Sequence, residues 1–396
     1  MRIAELETFV VGNPPPSYGG RYFVFLTLTT EDGVKGVGEV YAATLHPAVI
    51  EKAIADVFER HVLGCDPFRI EVLSRIVSMR GYSGRPDLTL SGVLSGFELA
   101  CWDIVGKSLG KPVHELLGGR VHERLRAYTY LYPEPGDSAD VYMDPALAAE
   151  RAAAYVARGF TAVKFDPVGP YSAFDPRQPS LEALARTESF VGRIREAVGD
   201  RCDLLVGTHG QLTPAGAIRL AKRLERFDPL WLEEPVPPDS PEQMATVARA
   251  TSIPVATGER LATKHEFARV LATGAAAILQ PNLGRVGGLL EAKKIAGMAE
   301  AHYAQIAPHL YCGPVVGAAN IQLAACSPNF LLLEGILDWG GFHAELLKKP
   351  VRFEDGYVVP PAEPGLGVEL DEAVAAAHPY VGEELHLSPA DEPVVE

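Results

Sequence analysis

No two cysteines lie close enough in this sequence to suggest a zinc site or a disulfide framework. Cys65, Cys101, Cys202, Cys312 and Cys326 are odd in number and scattered, with no CxxC and no Cys/His cluster. That usage points to a reducing, cytoplasmic setting. Basic residues are also in short supply: Lys plus Arg number 36 against 51 Asp plus Glu, a formal charge of −15. This argues against a nucleic-acid partner, which needs a basic face to release counterions. Residues 1–5 do not begin a secretory-type apolar run, and no stretch of about 18 apolar residues suggests a membrane partner. The remainder is ordinary globular composition. At 396 residues, 47% hydrophobic and 22% charged, the chain can bury a large core without staples.

Residues 21 to 41 read as a β-hairpin around a Glu31-Asp32-Gly33 turn. From Pro47 apolar residues recur every three or four positions until Gly118-Gly119 breaks the pattern, giving an α+β first third. Beyond about residue 125, short apolar strands alternate with amphipathic helices. The strands are expected at 126–132, 162–165, 204–206, 230–232, 254–256, 277–279, 305–307 and 331–333. Helices are expected at 145–158, 181–198, 214–226 and 289–302. Eight such units predict an α/β fold, a (β/α)8-type barrel. An α+β capping domain is built from residues 1–124, with the barrel over 125–349. A Pro- and Gly-rich tail, 350–396, returns to the cap. Gly36-Val37-Gly38 lies in a hairpin strand, the wrong context for dinucleotide binding. Pro14-Pro15-Pro16 reads as a stiff loop before a strand rather than a polyproline ligand.

In such barrels the chemistry sits at the C-terminal ends of the strands. The polar residues there are Lys164 and Asp166, His209, Glu233 with Glu234, Glu259, Asn282, His309 and Glu334. Gly207 to Glu233 and Glu233 to Glu259 are each 26 residues, Asn282 to His309 is 27, and His309 to Glu334 is 25. Each step is one βα unit. A lone acid at a strand end is ordinarily structural; polar groups in phase around one rim are not.

These residues resemble the enolase superfamily, mandelate racemase subgroup, and within it the sugar-acid dehydratases. The resemblance spans nearly the whole chain. It rests on residues 100–107 (ACWDIVGK) and Leu117-Gly118-Gly119 in the cap, and on Trp231-Leu232-Glu233-Glu234-Pro235 and Gly258-Glu259-Arg260 in the barrel. Gln280-Pro281-Asn282 with Gly287-Gly288, Ala307-Pro308-His309 and residues 364–369 (PGLGVE) complete it.

The resemblance implies removal of a proton α to a carboxylate, with Mg²⁺ (or Mn²⁺ or another divalent ion) neutralising the enediolate. Glu233 and Glu259 match two of its carboxylate ligands. The third, an Asp in relatives, is Gly207 here, which cannot coordinate anything; His209 two residues on matches a catalytic histidine, the alternative being a third, nitrogen ligand that suits Mn²⁺ or Zn²⁺ better than Mg²⁺. His309 matches the base that relatives pair with an Asp, but Asn282 stands in that Asp's place and carries no charge to stabilise an imidazolium. It therefore reads as a weaker base, or as a neutral donor or proton source. Racemases of this subgroup carry Lys-x-Lys after strand two; Asp166 replaces the second Lys, and Lys164 is a candidate to contact the substrate carboxylate or the metal-bound oxygen, the alternative being a rim salt bridge with Asp166. Glu334 matches a carboxyl that bonds the substrate carboxylate when protonated. Tyr18, Tyr22, Tyr82 and Arg85, in cap loops, are candidates for polyol recognition. The expected activity is a metal-dependent lyase dehydrating a sugar acid to a 2-keto-3-deoxy acid, in a homo-oligomer. An epimerase, racemase or cycloisomerase using the same enolate, and a degenerate acid-binding protein, are the alternatives.

Overall fold

The computed structural model describes residues 1–394 apart from 83, 86 and 138. Three antiparallel strands begin the chain, β1 (Ile3–Gly12), β2 (Tyr22–Thr30) and β3 (Lys35–Val40), in the order β1-β2-β3. The expected hairpin is β2 with β3. β1 was not anticipated: it is an edge strand with Glu5 and Glu7 exposed, so its alternation is weak. Helices α1 (Pro47–Val57), α2 (Ile70–Met79) and α3 (Leu88–Leu109) follow. Asp87 caps α3 by accepting from the backbone N–H groups of Thr89 and Leu90, and Gly110 in the left-handed conformation ends it.

β3 and α3 approach almost backbone to backbone. A Cβ on Gly38 would lie 1.8 Å from Gly96 O, and one on Gly36 would lie 2.3 Å from Ala100 O. Those glycines therefore serve packing, not phosphate binding. Among the described residues α3 is the one helix long and apolar enough to cross a membrane, though it carries Glu98 and Asp103. Within the fold 78% of that window is buried, as the core helix of the cap.

The barrel strands are β4 (Leu125–Tyr130), β5 (Ala162–Phe165), β6 (Asp203–Gly207), β7 (Trp231–Glu233), β8 (Val255–Thr257), β9 (Ile278–Leu279), β10 (Gln305–Ile306) and β11 (Leu333–Gly335). They run parallel in sequence order from β4 to β10, β11 pairs with β4, and an Ile306–Phe330 bridge closes the ring. Each falls within a few residues of its expected position. Helices Pro145–Ala157, Leu181–Val198, Pro214–Leu224 and Leu289–Ala301 lie where periodicity placed them. Asp144 and Thr213 cap two of these ahead of prolines whose missing N–H costs nothing there.

Tyr128, Ala162, Leu205, Trp231, Ala256, Ile278, Ala307 and Leu332, one at or beside each strand, form a buried layer inside the barrel. With a side-chain period of two, the next inward position on each strand lies one layer nearer the mouth. The chain spends that layer on polar groups. The tail adds a hairpin, β12 (Phe353–Glu354) and β13 (Tyr357–Val358), that pairs with β4. Leu366 N–H then bonds Asp103 on α3 at 2.9 Å, and residues 387–390 run beside the barrel mouth.

Candidate active site

The period-two stagger explains which side chains meet. Two residues above the apolar layer stand Tyr130, Lys164, Gly207, Glu233, Gln280, His309 and Glu334, and two further stand Tyr132, Asp166, His209, Asn282 and Tyr311. Many of these line one cavity of about 510 Å³, with Glu259 and Tyr171 among its walls. The structure thus brings together Lys164, Asp166, His209, Glu259, His309 and Glu334, as the sequence suggested.

Lys164 is almost wholly buried. Its Nζ lies 2.5 Å from Glu233 Oε1 and 3.6 Å from Glu334 Oε1. Burial would favour the neutral amine, but Glu233 and Glu334 outweigh it and hold the ammonium well above the ordinary lysine range. The other Glu233 oxygen accepts from Gln280 Nε2 at 2.7 Å and Trp231 Nε1 at 3.1 Å. Burial pushes the Glu334 carboxyl up. One of its oxygens accepts Leu310 N–H at 2.8 Å.

His209 follows β6 in a left-handed conformation, φ 44°, which is costly for a residue with a Cβ and is held by its neighbours. Thr208 Oγ1 donates toward Glu233 O and Glu234 O, and Gly210 N–H bonds Glu234 O. His209 Nδ1 lies 2.8 Å from Asp166 Oδ2, a close ion pair rather than a linear hydrogen bond. Burial pulls the imidazole down, but the Asp166 carboxylate, with help from Glu259, more than reverses this and raises it to about 9.

His309 is built differently. Gly284 N–H donates to Asn282 Oδ1 at 2.8 Å, which fixes the amide orientation. Asn282 Nδ2 then faces His309 Nδ1 at 2.9 Å and Cys312 Sγ at 3.9 Å. The amide can only donate there, so Nδ1 accepts and the ring hydrogen sits on Nε2. Burial first, with Lys164 and Arg285 adding to it, lowers this histidine to about 3. His309 is therefore held neutral, with its Nε2–H presented as a donor. Its Nε2 and that of His209 each lie 3.6 Å from the same Glu259 oxygen.

The cap-loop candidates fall outside the cavity. Tyr22 is buried in the cap and directs its hydroxyl to Leu45 O; Tyr18 packs on Tyr132 with its hydroxyl on Pro133 O. Tyr82 is 99% exposed, and Arg85 lines a separate cleft between α2 and the helix Leu289–Ala301. The mouth is walled instead by Tyr130, Tyr132, Tyr142, Tyr171 and Tyr311, and by tail residues 387–390. The strand-end tyrosines at 130, 132 and 311 obey the same stagger and could have been read from it; the tail's path could not. Tyr41, also missed, stacks on His309 with Arg285 over its other neighbourhood, the guanidinium 3.9 Å from the ring centre.

Fold and mouth define an acid–base barrel enzyme with a capping domain. The chain matches the Enolase C-terminal domain-like family over residues 147–374 and the Mandelate racemase / muconate lactonizing enzyme N-terminal domain over 16–118. It belongs to that family and is an enzyme of the enolase superfamily. It is 37% identical to a D-galactonate dehydratase of Ralstonia nicotianae, covering 94% of this chain and 93% of that one. A D-gluconate dehydratase of Thermoproteus tenax is 32% identical over 94% of this chain and 72% of its own. The solved mandelate racemase/muconate lactonizing enzyme from a Sulfitobacter species superimposes with a TM-score of 0.97 at 53% identity, covering 100% of each chain.

Members of the superfamily typically use Mg²⁺. The residues here do not fit that ion well. Gly207 offers no ligand, and a Cβ there would lie 2.0 Å from Asp166 Oδ1, so that carboxylate already fills the space. Glu233 has an ammonium on one oxygen and two N–H donors on the other. Among the described residues no three His, Cys, Asp or Glu side chains converge as a metal site. Of the expected metal pair, Glu233 is thus already filled by the protein's own donors, while Glu259 Oε2 keeps no hydrogen-bond partner.

Proposed function

We propose that this enzyme is a lyase that dehydrates a sugar acid, an aldonate or aldarate, to a 2-keto-3-deoxy acid through an enediolate. The observation that carries the reading is His209, which lines the cavity with Nδ1 paired to Asp166 and Nε2 3.6 Å from Glu259, in a mouth that also presents Lys164. The names of the dehydratase relatives support it. With His309 presented as a neutral donor, one imidazole serves both transfers. Neutral His209 takes the Cα proton at Nε2, and the C–H electron pair becomes part of the enediolate. That pair then expels the β-hydroxyl: the Cβ–O bond breaks, and the imidazolium returns a proton to the departing oxygen as water. The enol left behind takes a solvent proton at C3 and ketonises. Both transfers occur on the face of the substrate that meets His209.

Incubation with a panel of aldonates and aldarates, following 2-keto product as its semicarbazone, tests this. Product should form from at least one acid and vanish in His209→Asn. Exchange of the C2 proton without loss of water would move the assignment to an epimerase.

A further inference from the structure

The carboxylates around the mouth are already matched by the protein's own cations. Lys164 Nζ sits 2.5 Å from Glu233, His209 Nδ1 sits 2.8 Å from Asp166, and Arg285 Nη1 lies 4.0 Å from Glu259. In a buried site a cation shared among carboxylates is strongly held, because removing it leaves uncompensated charge. A dication drawing on Glu233 would have to displace Lys164 or sit beside it, and like charges a few ångströms apart in a dry pocket are costly. The Asp166 carboxylate stands where a side chain on Gly207 would reach, and it is already paired with His209 Nδ1 at 2.8 Å. Asp166 Oδ1 and Glu259 Oε2 keep no hydrogen-bond partner. Both residues line the cavity, where substrate hydroxyls can donate to them.

We propose that the Lys164 ammonium, held between Glu233 and Glu334, takes the place of the divalent ion, so that enediolate charge is met by Lys164 Nζ and the Nε2–H of His309. The proposal rests on the dehydratase reading for its chemistry but not for its test. Lys164 and His309 both line the cavity, and neither donor needs a metal to be positioned. Preorganised donors of this kind, aimed at developing charge in a water-poor site, are each worth about 10²–10³ in rate.

The full-length protein, dialysed against EDTA and then chelator-free buffer, is titrated with Mn²⁺ and followed by electron paramagnetic resonance. The free Mn²⁺ signal should be undiminished at equimolar protein. Any acid turned over should be dehydrated equally well in EDTA and in Mg²⁺. Lys164→Arg, which keeps the charge that Glu233 and Glu334 need for folding, should lose about 10² in kcat. Lys164→Ala, if folded, should be rescued by methylammonium and not by Mn²⁺. Stoichiometric Mn²⁺ binding that disappears in Glu259→Gln would overturn the proposal, as would turnover abolished by EDTA and restored by Mg²⁺. In the latter case the dehydratase assignment survives. If no acid is turned over under any condition, that assignment falls, and the Mn²⁺ titration still decides the metal question.

Discussion

At the scale of single residues, two histidines on one rim have opposite characters because their partners differ by one functional group. A carboxylate beside Nδ1 makes His209 a strong base; an amide donating to Nδ1 makes His309 a neutral donor. His209 must be neutral to accept a proton, and its imidazole is raised from 6.5 to about 9. kcat/KM should therefore climb with pH, bend near 9 and level off above it. In Asp166→Asn the limb should move down by at least about one pH unit, since an amide does not stabilise the imidazolium; an unmoved limb would separate Asp166 from the base. The same shift bears on stability. The folded chain holds this proton more tightly than the unfolded one, so the contribution is complete below about pH 6.5 and fades as pH rises through about 9. For His309 the direct readout is ¹⁵N NMR of labelled imidazoles. Wild type should show an unprotonated Nδ1 and protonated Nε2, and Asn282→Asp should reverse them, because a carboxylate accepts where the amide donates. A tautomer indifferent to residue 282 would contradict the assignment.

At the scale of elements, the strands and helices were legible because each βα unit repeats one pattern: an apolar strand, a polar residue at its end, then a capped amphipathic helix. Ala162–Phe165 and Leu181–Val198 lie where hydrophobic periodicity alone put them. Lys164, His209, Glu259 and His309 were legible for the same reason. β1 was not, because an edge strand with Glu5 and Glu7 outward has little apolar alternation. Nor was the lining of the mouth, which depends on where loops and tail travel after leaving regular structure. The cap loops were expected to cover the site, but residues 387–390 do so, docked through Ala390 N–H on Tyr171 O and Ala173 N–H on Ala390 O, each 2.9 Å. Truncation after His386 should then raise KM by about tenfold, the effect of losing ~1.4 kcal/mol of contact. The melting temperature should change little, because this stretch adds little to the core. An unchanged KM would show that the tail does not contact substrate.

At the scale of the whole molecule, cap and barrel are joined by buried carboxylates rather than by apolar surface alone. Glu98 on α3 accepts from Leu289 N–H and Leu290 N–H at the start of a barrel helix, and Glu39 on β3 accepts from Val316 N–H at the start of another. Such bonds join the cap to the rim, where Tyr41 stacks on His309 and its N–H bonds Gly284 O at 2.8 Å. The barrel supplies the proton-transfer group, the cap buttresses the neutral donor, and the tail closes the mouth. In the proposed reaction one histidine, His209, removes the α-proton of a sugar acid and returns it to the departing hydroxyl. The measurement that tests it most directly is proton NMR in D₂O with the panel of aldonates and aldarates, comparing wild type, His209→Asn and His309→Asn. Wild type should convert at least one acid to its 2-keto-3-deoxy product with a single deuterium at C3. His209→Asn should lose both conversion and C2 exchange, whereas His309→Asn should keep C2 exchange at a reduced rate. C2 exchange that persists in His209→Asn and disappears in His309→Asn would contradict the account.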